Sequence, residues 1–185
     1  MIATDILMEE HRVIERVLNT LEKAALAANK GEKVNPEFFI EAADFIKGFA
    51  DGCHHKKEEG VLFKEMVNAG VPEQGGPVGV MLNEHEQGRV YTNSMRQAAE
   101  QWQAGDEAGR KGAVQNALGY VNLLRVHIHK EENILFPLAG RVIPVDRQEP
   151  LTDAFEHIEH EETGEGVHEK YLGMAERLEK EAAGF

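Results

Sequence analysis

His54-His55-Lys56-Lys57-Glu58-Glu59-Gly60-Val61-Leu62-Phe63 returns later in the chain as His127-Ile128-His129-Lys130-Glu131-Glu132-Asn133-Ile134-Leu135-Phe136. In both copies a histidine stands four residues before a glutamate, and a Leu-Phe pair begins four residues after it. Positions i and i+4 of a helix share a face one turn apart, so each copy aims an imidazole nitrogen and a carboxylate at the same spot. Two such pairs facing each other would form a cage for metal.

The duplication reaches further out. Leu7-Met8-Glu9-Glu10-His11 resembles Met81-Leu82-Asn83-Glu84-His85, with an offset of 74 residues between His11 and His85 and 73 between His54 and His127. Each half therefore carries one His on a first helix and one His-x-x-x-Glu on a second. The apolar spacing predicts those helices. The first follows Thr4 as N-cap and runs to about Asn29, with Leu7, His11, Ile14, Leu18, Leu21 and Ala25 on one stripe. The second opens at Pro36 and carries Phe39, Ala43, Ile46, Ala50, His54, Glu58 and Val61. The third carries Met81, His85, Gly88, Thr92, Met95, Ala99 and Trp102 and ends at Gly105-Asp106. The fourth opens near Ala113 and buries Ala117, Tyr120, Leu124, His127, Glu131, Ile134 and Leu138, with Pro137 ending or kinking it. Beyond Pro144 and Pro150 comes a more broken helical segment through Leu151, Phe155 and Ile158. It is interrupted at Gly164 and Gly166 and resumes through Tyr171, Met174 and Leu178. The expected fold is all-α: an up-down-up-down four-helix bundle over residues 1–140, and a linker with a helical extension over 141–185 packed on the bundle.

Composition bounds the function. The 185 residues carry a formal charge of −13, which repels nucleic acid and anionic membranes. No apolar run approaches a membrane span, and the first ten residues do not read as a signal peptide. The single Cys53 forms no internal disulfide and suits a reducing, cytoplasmic setting. Four inward imidazoles and two carboxylates are too many polar groups to bury without a cation. Nitrogen donors without thiolate suit iron, manganese, copper or zinc better than magnesium or calcium. Six ligands exceed a four-ligand zinc site and favour two metals, whose surplus charge an oxo, hydroxo or peroxo bridge would neutralise.

The order His … His-x-x-x-Glu … His … His-x-x-x-Glu, the Glu-Glu-x-x-Leu-Phe runs, and Glu84-His85-Glu86-x-Gly88-Arg89 resemble the hemerythrin-like, or HHE cation-binding, domain from about Thr4 to Leu138. The resemblance implies a non-haem di-iron centre, oxo- or hydroxo-bridged, that handles O2, NO or peroxide. By position His11, His54, His85 and His127 are its terminal ligands, and Glu58 and Glu131 its bridging carboxylates. Zinc or manganese are the lesser alternatives. Oxygen-carrying hemerythrins have a fifth histidine one turn away on the third helix. Here the flanking positions are Met81 and Arg89, which favours sensing or redox chemistry over O2 carriage. The carriers also place the last carboxylate five residues after its His. Glu132 meets that spacing, and Glu131 is preferred because it matches Glu58. Iron–sulfur cluster repair and iron storage or sequestration are the alternatives, and an enzymatic reading lacks an evident proton donor. His55 and His129 are expected to face solvent or to back the ligands, and Glu59 and Glu132 to accept from ligand histidines. Glu86, His160 or His168 are further candidates for the site, the last two in a cluster with His157, Glu161 and Glu165. Trp102 and Tyr120 are expected in the core, and Gly88 could make room for a small ligand.

Overall fold

The computed structural model describes residues 2–164 and 166–185. Glu165, grouped above with His157 and Glu161, lies outside the described residues. The chain is all-α, with no strand among the described residues. Four long rods form the bundle. α1 (Ala3–Asn29) is the first. The second is α2 (Pro36–Phe45), which continues through π-helical segments Ile46–His55 and Glu58–Leu62 into α3 (Phe63–Asn68). The third is α4 (Pro77–Gln103). The fourth is α5 (Glu107–Lys130), which runs through the π-helical segment Glu131–Leu135 into α6 (Phe136–Val142). α7 (Gln148–His157), the π-helical segment Ile158–Thr163 and α8 (Val167–Ala182) follow, with α8 packed against α1 and α2.

The ends of these helices follow from local chemistry. Asn35 caps α2 by accepting from the Glu37 N–H at 3.1 Å. α4 ends in a Schellman turn: Asp106 N–H reaches the Gln101 carbonyl and Gly105 N–H that of Trp102, with Gly105 at φ +99°. Asp106 then caps α5 by accepting from the Ala108 N–H at 2.9 Å. α5 therefore starts six residues before the expected Ala113. Thr4 does not cap α1. It lies in the first turn, and the Asp5 carboxylate accepts from the Ile2 N–H at 3.0 Å instead.

The π turns decide which residues face inward. An α-helix makes 3.6 residues per turn, so two successive steps of four drift off a face by about 40° each. Bonds from the Phe63 N–H to the Glu58 carbonyl and from the Phe136 N–H to the Glu131 carbonyl widen that turn by one residue. His54, Glu58 and Leu62 then stay on one face, as do His127, Glu131 and Leu135. Ile134, expected in the core, is 57% exposed, and Leu135 takes its place. Pro137, which has no N–H, is carried just inside α6 without ending the rod.

Two apolar clusters fill the bundle and leave a polar layer between them. One holds Leu7, Leu62, Met81 and Leu135 together with Leu151 and Phe155 of α7. The other holds Ile14, Ala50, Met95 and Leu124 together with Met174 and Leu178 of α8. Within the second, α4 and α5 approach backbone to backbone at Gly109, where an added Cβ would lie 2.4 Å from the Ala98 carbonyl oxygen. Gly109→Ala is expected to lower the Tm by several degrees, from about 1–3 kcal/mol of overpacking. Gly140→Ala, with nothing within 4 Å of the new Cβ, should hold or raise it. Thermal melts of the two variants check the pair.

Candidate metal centre

The polar layer contains all six residues marked by the sequence pattern. Glu58 and Glu131 are fully buried, and His11, His54, His85 and His127 are at most 1% exposed. Glu131 Oε1 lies 3.1 Å from His127 Nε2 and its Oε2 lies 3.2 Å from His11 Nε2. Glu58 repeats the arrangement, with Oε1 at 3.6 Å from His54 Nε2 and Oε2 at 3.5 Å from His85 Nε2. The Nε2 atoms of His85 and His127 are 3.0 Å apart.

A fifth imidazole belongs to the cluster. His55, expected to face solvent or to back the ligands, is 4% exposed and stacks on His85 with ring centroids 3.8 Å apart. It follows His54 directly, and two consecutive inward side chains are what an ordinary helix does not give. The π-helical segment Ile46–His55 ends on this pair. The matching residue of the second half is Ile128, buried and aliphatic. His129, in contrast, is exposed as expected, and Asn133 Nδ2 approaches its ring. Seven donors then sort into two overlapping groups, each able to surround one cation: His55, Glu58, His85 and His127, and His11, His54, Glu58 and Glu131.

Behind every imidazole stands a carboxylate. His54 Nδ1 meets Glu10 at 2.9 Å, His127 Nδ1 meets Glu84 at 2.9 Å, His85 Nδ1 meets Glu59 at 2.7 Å and His11 Nδ1 meets Glu132 at 3.0 Å. His55 Nδ1 has a longer contact to Asp51, 3.4 Å. Each Nδ1–H donates outward, which leaves the Nε2 lone pair pointing into the layer. The carboxylates are in turn held by cations: Glu10 by Lys57, Glu84 by Lys130, Glu132 by Arg12, and both Glu59 and Asp51 by Arg89. Glu132 is thereby committed to His11, so Glu131 is the inward carboxylate of its pair. Glu86 is an exposed partner of Arg89. The Glu-His dipeptide at Glu10-His11 and again at Glu84-His85 was the sequence signal for two of these supports.

The interior of the layer is unbalanced without a cation. Among the described residues, both oxygens of Glu58, both of Glu131 and Nε2 of His11 have no hydrogen-bond partner. The Glu58 oxygens lie 3.5–3.6 Å from the Nε2 atoms of His54 and His85, too far for a good hydrogen bond and close enough to share a cation. Burial, and then Glu131 beside it, push Glu58 well above the usual carboxylate range. Burial also resists the charged form of Glu131, yet His127 and His11 hold its carboxyl well below that range. Burial takes His54 down to about 4, whereas Glu131 and Glu84 override burial and hold His127 up at about 9. The donor set fits a cation-binding site by these orphaned atoms alone.

A third group, Glu10, Glu159 and His168, has the same kind of donors. Its charge is already met by the fully buried Lys57, which bonds Glu10 and lies 2.7 Å from Glu159. His168 thus sits outside the central layer, as does the exposed His160. Cys53 is buried beside Lys57, and burial raises its thiol to about 11.

If Glu58 is there for a cation and not for the fold, Glu58→Gln should remove a carboxyl whose ionised form the empty layer resists. The metal-free variant is expected to be at least as stable as the wild type, with Tm raised by a few degrees, while metal uptake is lost. Melts in chelator beside metal analysis decide it, and a metal-free variant several degrees less stable would make Glu58 a structural carboxylate.

Comparison with known proteins agrees with this geometry. The chain is similar to uncharacterized proteins of Mycobacterium bovis and of two strains of Mycobacterium tuberculosis, at 24% identity over 178 residues, 96% of this chain and 69% of each relative. No solved structure matches. A family model described as the Hemerythrin HHE cation binding domain matches residues 2–139. The chain belongs to the hemerythrin HHE cation-binding family.

Proposed function

We propose that the layer holds two iron ions and that the protein binds or reacts with O2, NO or peroxide there, in a sensing or redox role. The observation that carries this reading is the placement of the two buried glutamates. Each sends one oxygen toward a histidine of one donor group and the other oxygen toward a histidine of the other. A carboxylate shared in this way supports Glu58 and Glu131 as bridges between two cations. His11 and His54 would hold one iron, and His85, His127 and His55 the other. Nitrogen-and-carboxylate sets of this kind suit iron. Bound iron would supply an open position for a small ligand and one-electron exchange between its ferrous and ferric states.

The chain's own groups do the rest. The five outward Nδ1–H bonds fix ring orientation and tautomer, and make each Nε2 a better donor. The two glutamates carry negative charge against the cations, while Lys57, Lys130, Arg12 and Arg89 neutralise the supporting carboxylates. His55 supplies a fifth nitrogen from the second helix, where the four-histidine expectation found none on the third. A missing nitrogen therefore no longer weighs against O2 binding. What favours sensing or redox chemistry is a pocket that reaches the His55–His85 end of the layer, since solvent access to a metal tunes its redox potential.

Metal analysis of the protein purified after growth with iron is expected to give two irons per chain, with an absorption that bleaches on reduction and changes on exposure to O2 or NO. His54→Ala and Glu131→Gln should fall below one iron per chain, and His55→Ala should fall from two toward one while still folding. A single zinc in the wild type would refute the two-iron reading. Two irons retained in His55→Ala would remove that residue from the set.

A further inference from the structure

Lys57 and Lys130 hold the same place in the two halves of the chain, three residues after His54 and His127. Each bonds the carboxylate that backs its histidine, Lys57 to Glu10 and Lys130 to Glu84. Beyond that point the halves differ. The side chains of Lys130, Arg89 and Arg12 are 28–54% exposed, whereas that of Lys57 is fully buried. Lys57 also has a second acceptor, Glu159, whose Oε2 lies 2.7 Å from its Nζ. Glu159 belongs to the π-helical segment Ile158–Thr163 of the C-terminal extension, outside the residues 2–139 that the family model matches.

The extension is seated against the bundle on both sides of Glu159. Before it, Leu151 and Phe155 pack in one cluster with Leu7 and Leu62. After it, Tyr171 takes the space that a side chain at position 48 would need: a Cβ on Gly48 would fall 1.7 Å from Tyr171 Oη. Gly48 lies in the π-helical segment Ile46–His55, which ends on two histidines of the layer. His168, whose ring centroid is 5.3 Å from that of Phe49, faces the other Glu159 oxygen at 3.4 Å. Glu159 therefore meets Lys57 from a fixed place, and a line of contacts runs from Glu159 through Lys57 and Glu10 to His54.

An enclosed ammonium is costly to bury unless carboxylates surround it, and here two do. Lys57 divides its charge between them, so Glu10 keeps more negative charge toward the His54 Nδ1–H than it would with the lysine to itself. A stronger acceptor at Nδ1 makes Nε2 the better metal donor.

We infer that Glu159 is a positioning residue for the metal centre, acting on His54 through Lys57 and Glu10, so that the C-terminal extension sets how firmly the His11–His54 donor group holds its cation. The inference rests on the two-iron reading for what His54 holds, but the line of contacts exists without metal and can be probed without it.

Glu159→Gln in the whole chain keeps the size of the side chain and removes its charge. The first readout is the Nδ1–H proton resonance of each imidazole in the metal-free protein with isotope-labelled histidines, that of His54 being identified by its loss in His54→Ala. Glu159→Gln is expected to move the His54 proton upfield, toward a weaker hydrogen bond, and to leave those of His85 and His127 in place. The second readout is iron release to a chelator. One of the two irons is expected to leave roughly threefold to tenfold faster, less than the about 10–100-fold typical of losing a direct support. Glu179→Gln is the control: it breaks the two-bond pair with Arg16 that also fastens the extension, and it touches no member of the line. It should move neither readout. A His54 proton unmoved in Glu159→Gln, or moved equally in Glu179→Gln, would overturn the inference while leaving the two irons standing. Unchanged iron release in Glu159→Gln would overturn it as well. A His54 shift confined to Glu159→Gln, in a protein that takes up no iron, would uphold Glu159 as the group that positions His54 and end the iron reading.

Discussion

Two carboxylates and five imidazoles are buried in one layer between two apolar cores, and every other feature of the molecule answers to that constraint. Burying charge without a partner is costly, and inside the layer the glutamate oxygens have no hydrogen-bond partner among the described residues. The protein resolves the outward half of the problem with its own groups. Each imidazole gives its Nδ1–H to a carboxylate, and each carboxylate leans on a lysine or arginine, so charge alternates from the layer to the surface. The inward half is left for a cation. A layer arranged this way is less stable empty than an apolar core of the same volume would be, which is the mark of a site kept for binding.

Approximate two-fold repetition lets one solution serve twice. The Glu before the first histidine of each half supports the second histidine of the same half: Glu10 holds His54, and Glu84 holds His127. The second glutamate of each Glu-Glu pair supports a first-helix histidine from across the bundle: Glu59 holds His85, and Glu132 holds His11. Among the inward donors the repetition breaks at His55, whose counterpart is Ile128. That single difference gives one end of the layer three nitrogens and the other two, and it lies where a pocket reaches the layer. The two donor groups of the layer are therefore unequal.

Much of this was legible in the sequence because helical spacing is a strong code. The stripes through Leu7, His11 and Ile14 and through Met81, His85 and Gly88 point inward as their 3.6-residue period requires. The six residues of the repeated pattern meet in one layer. What the spacing could not show is the hydrogen-bond register. A π turn changes which residues face inward without leaving a mark in composition, so His55 reads as a flanking residue and Ile134 as core. Both readings follow from assuming an α-helix; the first changes with the π-helical segment Ile46–His55, and the second once the Phe136 N–H reaches back five residues. Likewise Thr4 is a good cap by residue type, but Asp5 reaches the free Ile2 N–H instead.

The most direct test of the account is a crystal structure with anomalous data collected on both sides of the iron absorption edge. The account predicts two iron peaks in the polar layer, each in contact with Glu58 and Glu131, one flanked by His11 and His54 and the other by His85, His127 and His55. A single peak, or scattering that does not change across the iron edge, would contradict it.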